Sequence, residues 1–149
     1  MLRDDQRILQ EYLSSRGWSL EYLREGKLCP WPIGEGLRSP SHEIWCRAPS
    51  GPVRRLEVLL NERQGEAFAF RRDARIVAPL EDAFLQSKSG IPILAPEIVL
   101  LYKAKRAVEP KEHLDFSNAR DALGAERRQW LRASLAVAEP GHVWLADLE

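Results

Sequence analysis

A carboxylate in the middle of a hydrophobic strand is the first residue of this chain with a type and position suited to chemistry. Glu57 sits within Arg55-Leu56-Glu57-Val58-Leu59-Leu60. Alternation in a strand sends Leu56, Val58 and Leu60 toward a core and leaves Glu57, Leu59 and Asn61 on the opposite face. Three roles are open to Glu57: an ion pair with a neighbour such as Arg55, simple solvation on an open sheet face, or a carboxylate aimed into a cleft as a metal ligand or general base. Lys103 and Lys105 are the other candidates, because they emerge from the otherwise apolar run Ile98 to Lys105. Each is either a helix end reaching water or a point charge for a triphosphate or an acidic partner.

Other chemistries lack their parts. Gly34-Glu35-Gly36 has neither the spacing of a phosphate-binding loop nor the strand-to-helix setting that lines up backbone N–H groups. His42, His113 and His142 are scattered without metal-ligand spacing, and no nucleophile and acid accompany them, so they read as structural or surface residues. Cys29 and Cys46 are the only cysteines, too few and wrongly spaced for zinc, and read as partly buried small hydrophobes in a reducing compartment.

These residues must be positioned by a framework, and 149 residues with 44% hydrophobic and 30% charged content predict one domain, residues 1–149, with one core. Lysine plus arginine balance aspartate plus glutamate at 22 each, which leaves no field to hold a polyanion and argues against nucleic acid. Arg54-Arg55, Arg71-Arg72 and Arg127-Arg128 are flanked by acids and read as solvated surface. Without an apolar run of about 18 residues or a leader-like start, the expectation is a cytoplasmic chain that does not enter a membrane.

The spacing of Ile8, Leu9, Tyr12 and Leu13 predicts a helix over about 4–16, stopped at Gly17. Strands follow at Ser19–Leu23, Glu43–Arg47 and Arg55–Leu60, the last two joined as a ribbon around Pro49-Ser50-Gly51-Pro52, with an irregular loop over Pro30–Pro40. Gly65–Phe70 and Ala83–Ser87 are shorter candidate strands. After Gly90-Ile91-Pro92 the pattern turns helical. Ala95-Pro96-Glu97 opens a centrally buried helix, 111–123 and 125–138 form two more, and a last turn surrounds Trp144 and Leu145. The expected fold class is therefore α+β: a small sheet over about 18–89 packed with helices, and three helices over about 95–149.

The run Gly90-Ile91-Pro92-Ile93-Leu94-Ala95-Pro96-Glu97-Ile98-Val99-Leu100-Leu101-Tyr102-Lys103-Ala104-Lys105, followed by Pro110-Lys111 and Leu114-Asp115-Phe116, resembles the C-terminal half of a bacterial nucleotidyltransferase-like family. The resemblance extends upstream through Arg54–Glu62 and Phe70-Arg71-Arg72-Asp73, and downstream through Arg127–Leu131 and Pro140–Leu145. It thus covers nearly the whole chain. The resemblance implies a nucleotidyltransferase-like fold with a small mixed β-sheet. It also implies an ancestral activity: Mg2+-dependent transfer of a nucleoside monophosphate from a nucleoside triphosphate to a hydroxyl of a small, aminoglycoside-like acceptor. Glu57 matches the family's third acid, as metal ligand or proton acceptor. Lys103 and Lys105 would face the phosphates, and Trp45 would line the acceptor side or serve as a core residue.

The family's Gly-Gly turn and Asp-x-Asp strand belong ahead of Met1. On the resemblance this is a truncated or degenerate member, with an open sheet edge to be covered by a second copy or another partner chain. The alternative, from a different class, is a noncatalytic binding or oligomeric assembly module that keeps the fold as a scaffold.

Overall fold

The computed structural model describes all residues, Met1–Glu149, as an α+β fold of small antiparallel sheets and several helices. Where composition suggested one continuous core, the chain forms two compact units, Met1–Gly65 and Glu66–Glu149. Each has its own cluster of buried residues.

In the first unit a short 3-10 turn, Arg3–Asp5, leads into α1, Gln6–Ser14. Four strands follow in the unit's main sheet: β1 Ser19–Arg24, β2 Lys27–Pro30, β3 Glu43–Arg47 and β4 Arg55–Leu59. Their order is β2-β1-β3-β4, every neighbour antiparallel. One face buries Leu20, Ile44 and Cys46 together with Leu13 of α1, Trp31, Leu37 and Leu60. The expected mixed sheet is thus corrected to antiparallel ladders. A two-residue turn joins β1 to β2 and a seven-residue loop, 48–54, joins β3 to β4, and connections this short without a crossover close only antiparallel pairs. Parallel pairing occurs only as an isolated bridge, Leu2 to Asn61.

β2 was not foreseen, and the connection that creates it is Glu25-Gly26, both at positive φ (51° and 77°), a two-residue turn whose backbone suits the strand twist. The loop from Trp31 to Pro40 is irregular as expected, and α1 holds it. Gln10 Nε2 donates to Pro32 O (2.9 Å) while its Oε1 accepts from Gly34 N (2.8 Å), and Gln6 Oε1 accepts from Leu37 N (2.7 Å). Two glutamines one helical turn apart therefore satisfy loop backbone groups that no strand could. Arg3 adds a fork onto Glu62 (2.8 and 3.0 Å) and bonds to Leu37 O and Ser41 O. β5, Glu62–Gln64, ends the unit.

The second unit begins with the antiparallel pair β6, Ala67–Ala69, and β7, Val77–Pro79. A one-turn helix α2, Leu80–Ala83, leads to the hairpin β8, Phe84–Gln86, and β9, Pro92–Leu94. Three helices then close the unit: α3 Pro96–Ala104, α4 Pro110–Arg120 and α5 Ala125–Ala138, with a 3-10 turn at Val143–Leu148. Proline opens α3 and α4 at a position where its missing N–H costs nothing. α3 buries Ile98, Leu100, Leu101 and Ala104, as its nearly all-round apolar sequence demands. Around it pack Phe68, Phe116, Leu131, Leu135 and Trp144. No helix is long and apolar enough to cross a membrane.

Candidate functional site

The β3–β4 hairpin brings two of the sequence candidates together. In its register Trp45 lies directly opposite Glu57, Arg47 opposite Arg55 and Glu43 opposite Leu59. All six side chains share the sheet face turned away from the Leu20–Ile44–Cys46 core. On the other side of Trp45, β1 places Glu21. A shallow depression of about 330 Å3 opens here, lined by Leu23, Leu28, Glu43, Trp45, Arg47 and Arg55. Trp45 is half-buried, and its Nε1–H is shielded from solvent without a hydrogen-bond partner.

Glu57 is exposed. Of its three possible roles, solvation on an open sheet face describes its surroundings: its strand neighbours on that face are Arg55 and Leu59, and it forms no ion pair with Arg55. Leu56 on the core side is itself 40% exposed, and the intended inward run is buried only toward Val58 and Leu60, because the strand lies at the sheet margin. Asn61, expected beside Glu57 on the outer face, is buried instead, with its N–H donated to Met1 O at 2.9 Å.

Mg2+ takes about six oxygen ligands and is usually held through one or two carboxylates plus phosphates. The nearest acids on Glu57's face are Glu43, diagonal to it at about 7–8 Å and in contact with His42 at 3.3 Å, and, beyond Trp45 at about 10 Å, Glu21. Glu21 is engaged with Arg47 at 3.5 Å. No group of three or more His, Cys, Asp or Glu side chains is placed to hold a metal ion. The residues present therefore do not fit the magnesium site that the resemblance implies for Glu57.

Lys103 and Lys105 belong to the other unit. Lys103, near the end of α3, donates to Glu112 Oε2 (2.6 Å) and Asp115 Oδ2 (2.7 Å), one helical turn apart on α4. Hydrogen bonds to Asp115 and then Glu112 raise the ammonium's pKa above its ordinary value, and the same contact lowers that of Asp115. Glu112 is almost completely buried, and Arg106 reaches its second oxygen at 3.1 Å. The ammonium expected to face phosphates is thus committed to carboxylates of its own chain. The signal was present in the sequence: Glu112 and Asp115 lie three residues apart on a helix, which puts both on one face. Lys105, at the α3 C-cap, is exposed.

The basic pairs diverge. Arg54 and Arg55 are exposed as expected, but Arg127 at the start of α5 forms an ion pair with the buried Glu97 of α3. Arg72 donates to Tyr102 O (2.8 Å), with its guanidinium over the Tyr102 ring. His142 bridges Ala104 O (3.0 Å) and Trp144 N (3.1 Å), a structural use of both ring nitrogens. Burial of Cys46 pushes its thiol up to about 11, far from a reactive thiolate. No protein-family model matches the chain, and neither a curated protein nor a solved structure matches it significantly.

Proposed function

We propose that this chain is a noncatalytic assembly module whose main sheet is completed by a strand from another chain along the free edge of β4. One observation carries the reading: β4 is the last strand of its sheet, and the backbone groups of Arg55 and Glu57 on its outer side have no partner. Ala48 N donates to Arg54 O (3.1 Å) and Leu60 N to His42 O (2.8 Å). Antiparallel pairing alternates, so the even-numbered residues of β4 turn their N–H and C=O toward β3, and the odd-numbered ones turn theirs outward. Leu59 O is taken by the Met1 nitrogen at 3.2 Å, which leaves Arg55 and Glu57. Exposed Val53, Leu56 and Leu59 flank them, the apolar material a strand addition would cover. The test is native mass by light scattering, together with hydrogen exchange at the Arg55 and Glu57 amides. Slow exchange of both in an assembled species is the expected result. A monomer in which both exchange as fast as loop amides would sink the reading.

A second reading, a degenerate nucleotidyltransferase acting on a nucleoside triphosphate and a small aminoglycoside-like acceptor, is favoured by the Trp45–Glu57 juxtaposition. It is also favoured by the parallel ladder of Met1–Arg3 on Leu59–Asn61. A strand preceding Met1 in that ladder would run along β4 beside Glu57, where the resembling family has its Asp-x-Asp strand. Calorimetric titration with Mg-ATP and Mg-GTP separates the two readings: saturable binding that Glu57→Gln weakens at least tenfold would favour the enzyme, and no heat would favour the module. We expect no heat, since one solvated carboxylate holds a hydrated divalent cation poorly.

A further inference from the structure

We infer that the strand completing β4 is the β4 of a second copy, paired antiparallel about Leu56; this rests on the assembly reading above. The residues whose N–H and C=O point outward are Arg55 and Glu57, so a partner strand must form its hydrogen-bonded pairs with them. In a two-fold pairing centred on Leu56, Arg55 of each copy lies opposite Glu57 of the other. Both outward residues of each chain are then satisfied. On the Arg55–Glu57 face the pairing stops short of Leu59, whose outward carbonyl is already held by the Met1 nitrogen. On the other face Leu56 meets its own copy in a non-hydrogen-bonded pair, where side chains approach most closely.

The neighbouring registers that keep the same hydrogen-bonding parity are centred on Arg55 or on Glu57. They stack arginine on arginine or glutamate on glutamate, and like charges directly opposite one another on a ladder are destabilising. Charged residues on an edge strand commonly discourage pairing. Here they reject two registers and favour one, the combination of attraction and repulsion that gives specificity. The product is a continuous eight-stranded sheet, β2-β1-β3-β4 followed by β4-β3-β1-β2 of the second copy. In it Glu57 serves as a cross-chain ion-pair partner of Arg55.

The test uses charge swaps in the full chain. Arg55→Glu alone sets glutamate opposite glutamate, and Glu57→Arg alone sets arginine opposite arginine, twice per dimer. Each single variant is expected to self-associate roughly thirtyfold or more weakly than the wild type. Mixed together, the two variants restore both opposite-charge pairs and are expected to form a one-to-one heterodimer, read by light scattering and by native mass spectrometry. Both positions are exposed, and circular dichroism confirms that each variant is folded before mixing.

Failure of the mixture to associate, with each variant folded, overturns the proposal. A wild type that self-associates with slow Arg55 and Glu57 amides but is indifferent to the swaps overturns the register and leaves the assembly reading standing. A wild type that is monomeric with fast-exchanging amides overturns both.

Discussion

Replacing Lys103 by methionine is expected to destabilise the helical unit by about 2–4 kcal/mol, because it strands a carboxylate that the fold has removed from water. Glu112 has only 3% of its side chain exposed and is held on one oxygen by Lys103 and on the other by Arg106. Methionine keeps most of the apolar stem and loses the charge, so the cost falls on the carboxylate left behind. The remaining contact with Arg106, itself mostly exposed, offsets part of it. Glu112→Gln should cost less, since a neutral amide is cheaper to bury. The double variant Lys103→Met with Glu112→Leu should recover much of the loss, as apolar replacements of buried pairs often do. Urea denaturation of the four proteins, read as a double-mutant cycle, measures the coupling. A Lys103→Met chain as stable as the wild type would show that Glu112 is not held by this contact.

The pH dependence follows from the direction of each shift. The pKa of Lys103 is raised above its ordinary 10.5, so its contribution is complete below that value and is lost as pH rises through the folded pKa. That of Asp115 is lowered below its ordinary 3.8, so its contribution is complete above that value and is lost as pH falls through the folded pKa. The stability difference between wild type and Lys103→Met should therefore be flat across neutral pH and shrink only toward both extremes. The same commitment separates structure from nucleotide binding: any loss of ligand affinity in a Lys103 variant must be compared with its loss of folding.

Trp144→Ala is expected to carry the largest cost of all, about 3–5 kcal/mol, from the cavity left by a fully enclosed ring. Trp144 is 0% exposed and stacks on Phe116 with ring centroids 4.3 Å apart and an interplanar angle of 6°. His142 approaches its edge at 5.0 Å. The indole thus ties the last 3-10 turn to α4, and its loss should release both. For a chain of this length the melting temperature should fall by roughly 10 °C or more. Trp144→Phe should be far milder, because Trp144 Nε1 is buried without a partner, and phenylalanine retains a stacked ring while removing an unsatisfied donor. A scanning calorimeter distinguishes these outcomes, and equal effects of alanine and phenylalanine would contradict the stacking account.

Much of the framework was legible in the chain because local patterns coincide with the final environment. The helices expected over about 4–16, from Ala95-Pro96-Glu97 to Lys105, over 111–123 and over 125–138 became α1, α3, α4 and α5, with ends shifted by a few residues. The strands expected at Glu43–Arg47 and Arg55–Leu60 became the β3–β4 hairpin, the second ending one residue sooner. The prolines at 96 and 110 each open a helix, where their fixed φ helps and their missing donor is harmless. These are properties of a few neighbouring residues, and tertiary packing had no reason to override them. Even the Trp45–Glu57 neighbourhood needed only a two-stranded ribbon with a turn at Pro49–Pro52.

What tertiary structure decided was partnership, since a side chain's partners depend on elements far apart in sequence. Nothing local distinguishes Lys103, bound to two acids of α4, from Lys105, exposed one helical position beyond the end of α3. Periodicity likewise says which face of β4 is inward, yet not that its outer edge stays unpaired, for a strand's position in its sheet is set by which segments, distant in sequence, pair with it. Sequence alone determined the α+β framework and the chemical character of Glu57, Lys103, Lys105 and Trp45. Only the three-dimensional arrangement, in which charges and backbone donors find or lack their complements, made one lysine a staple, one glutamate a solvated edge residue and one strand an open seam.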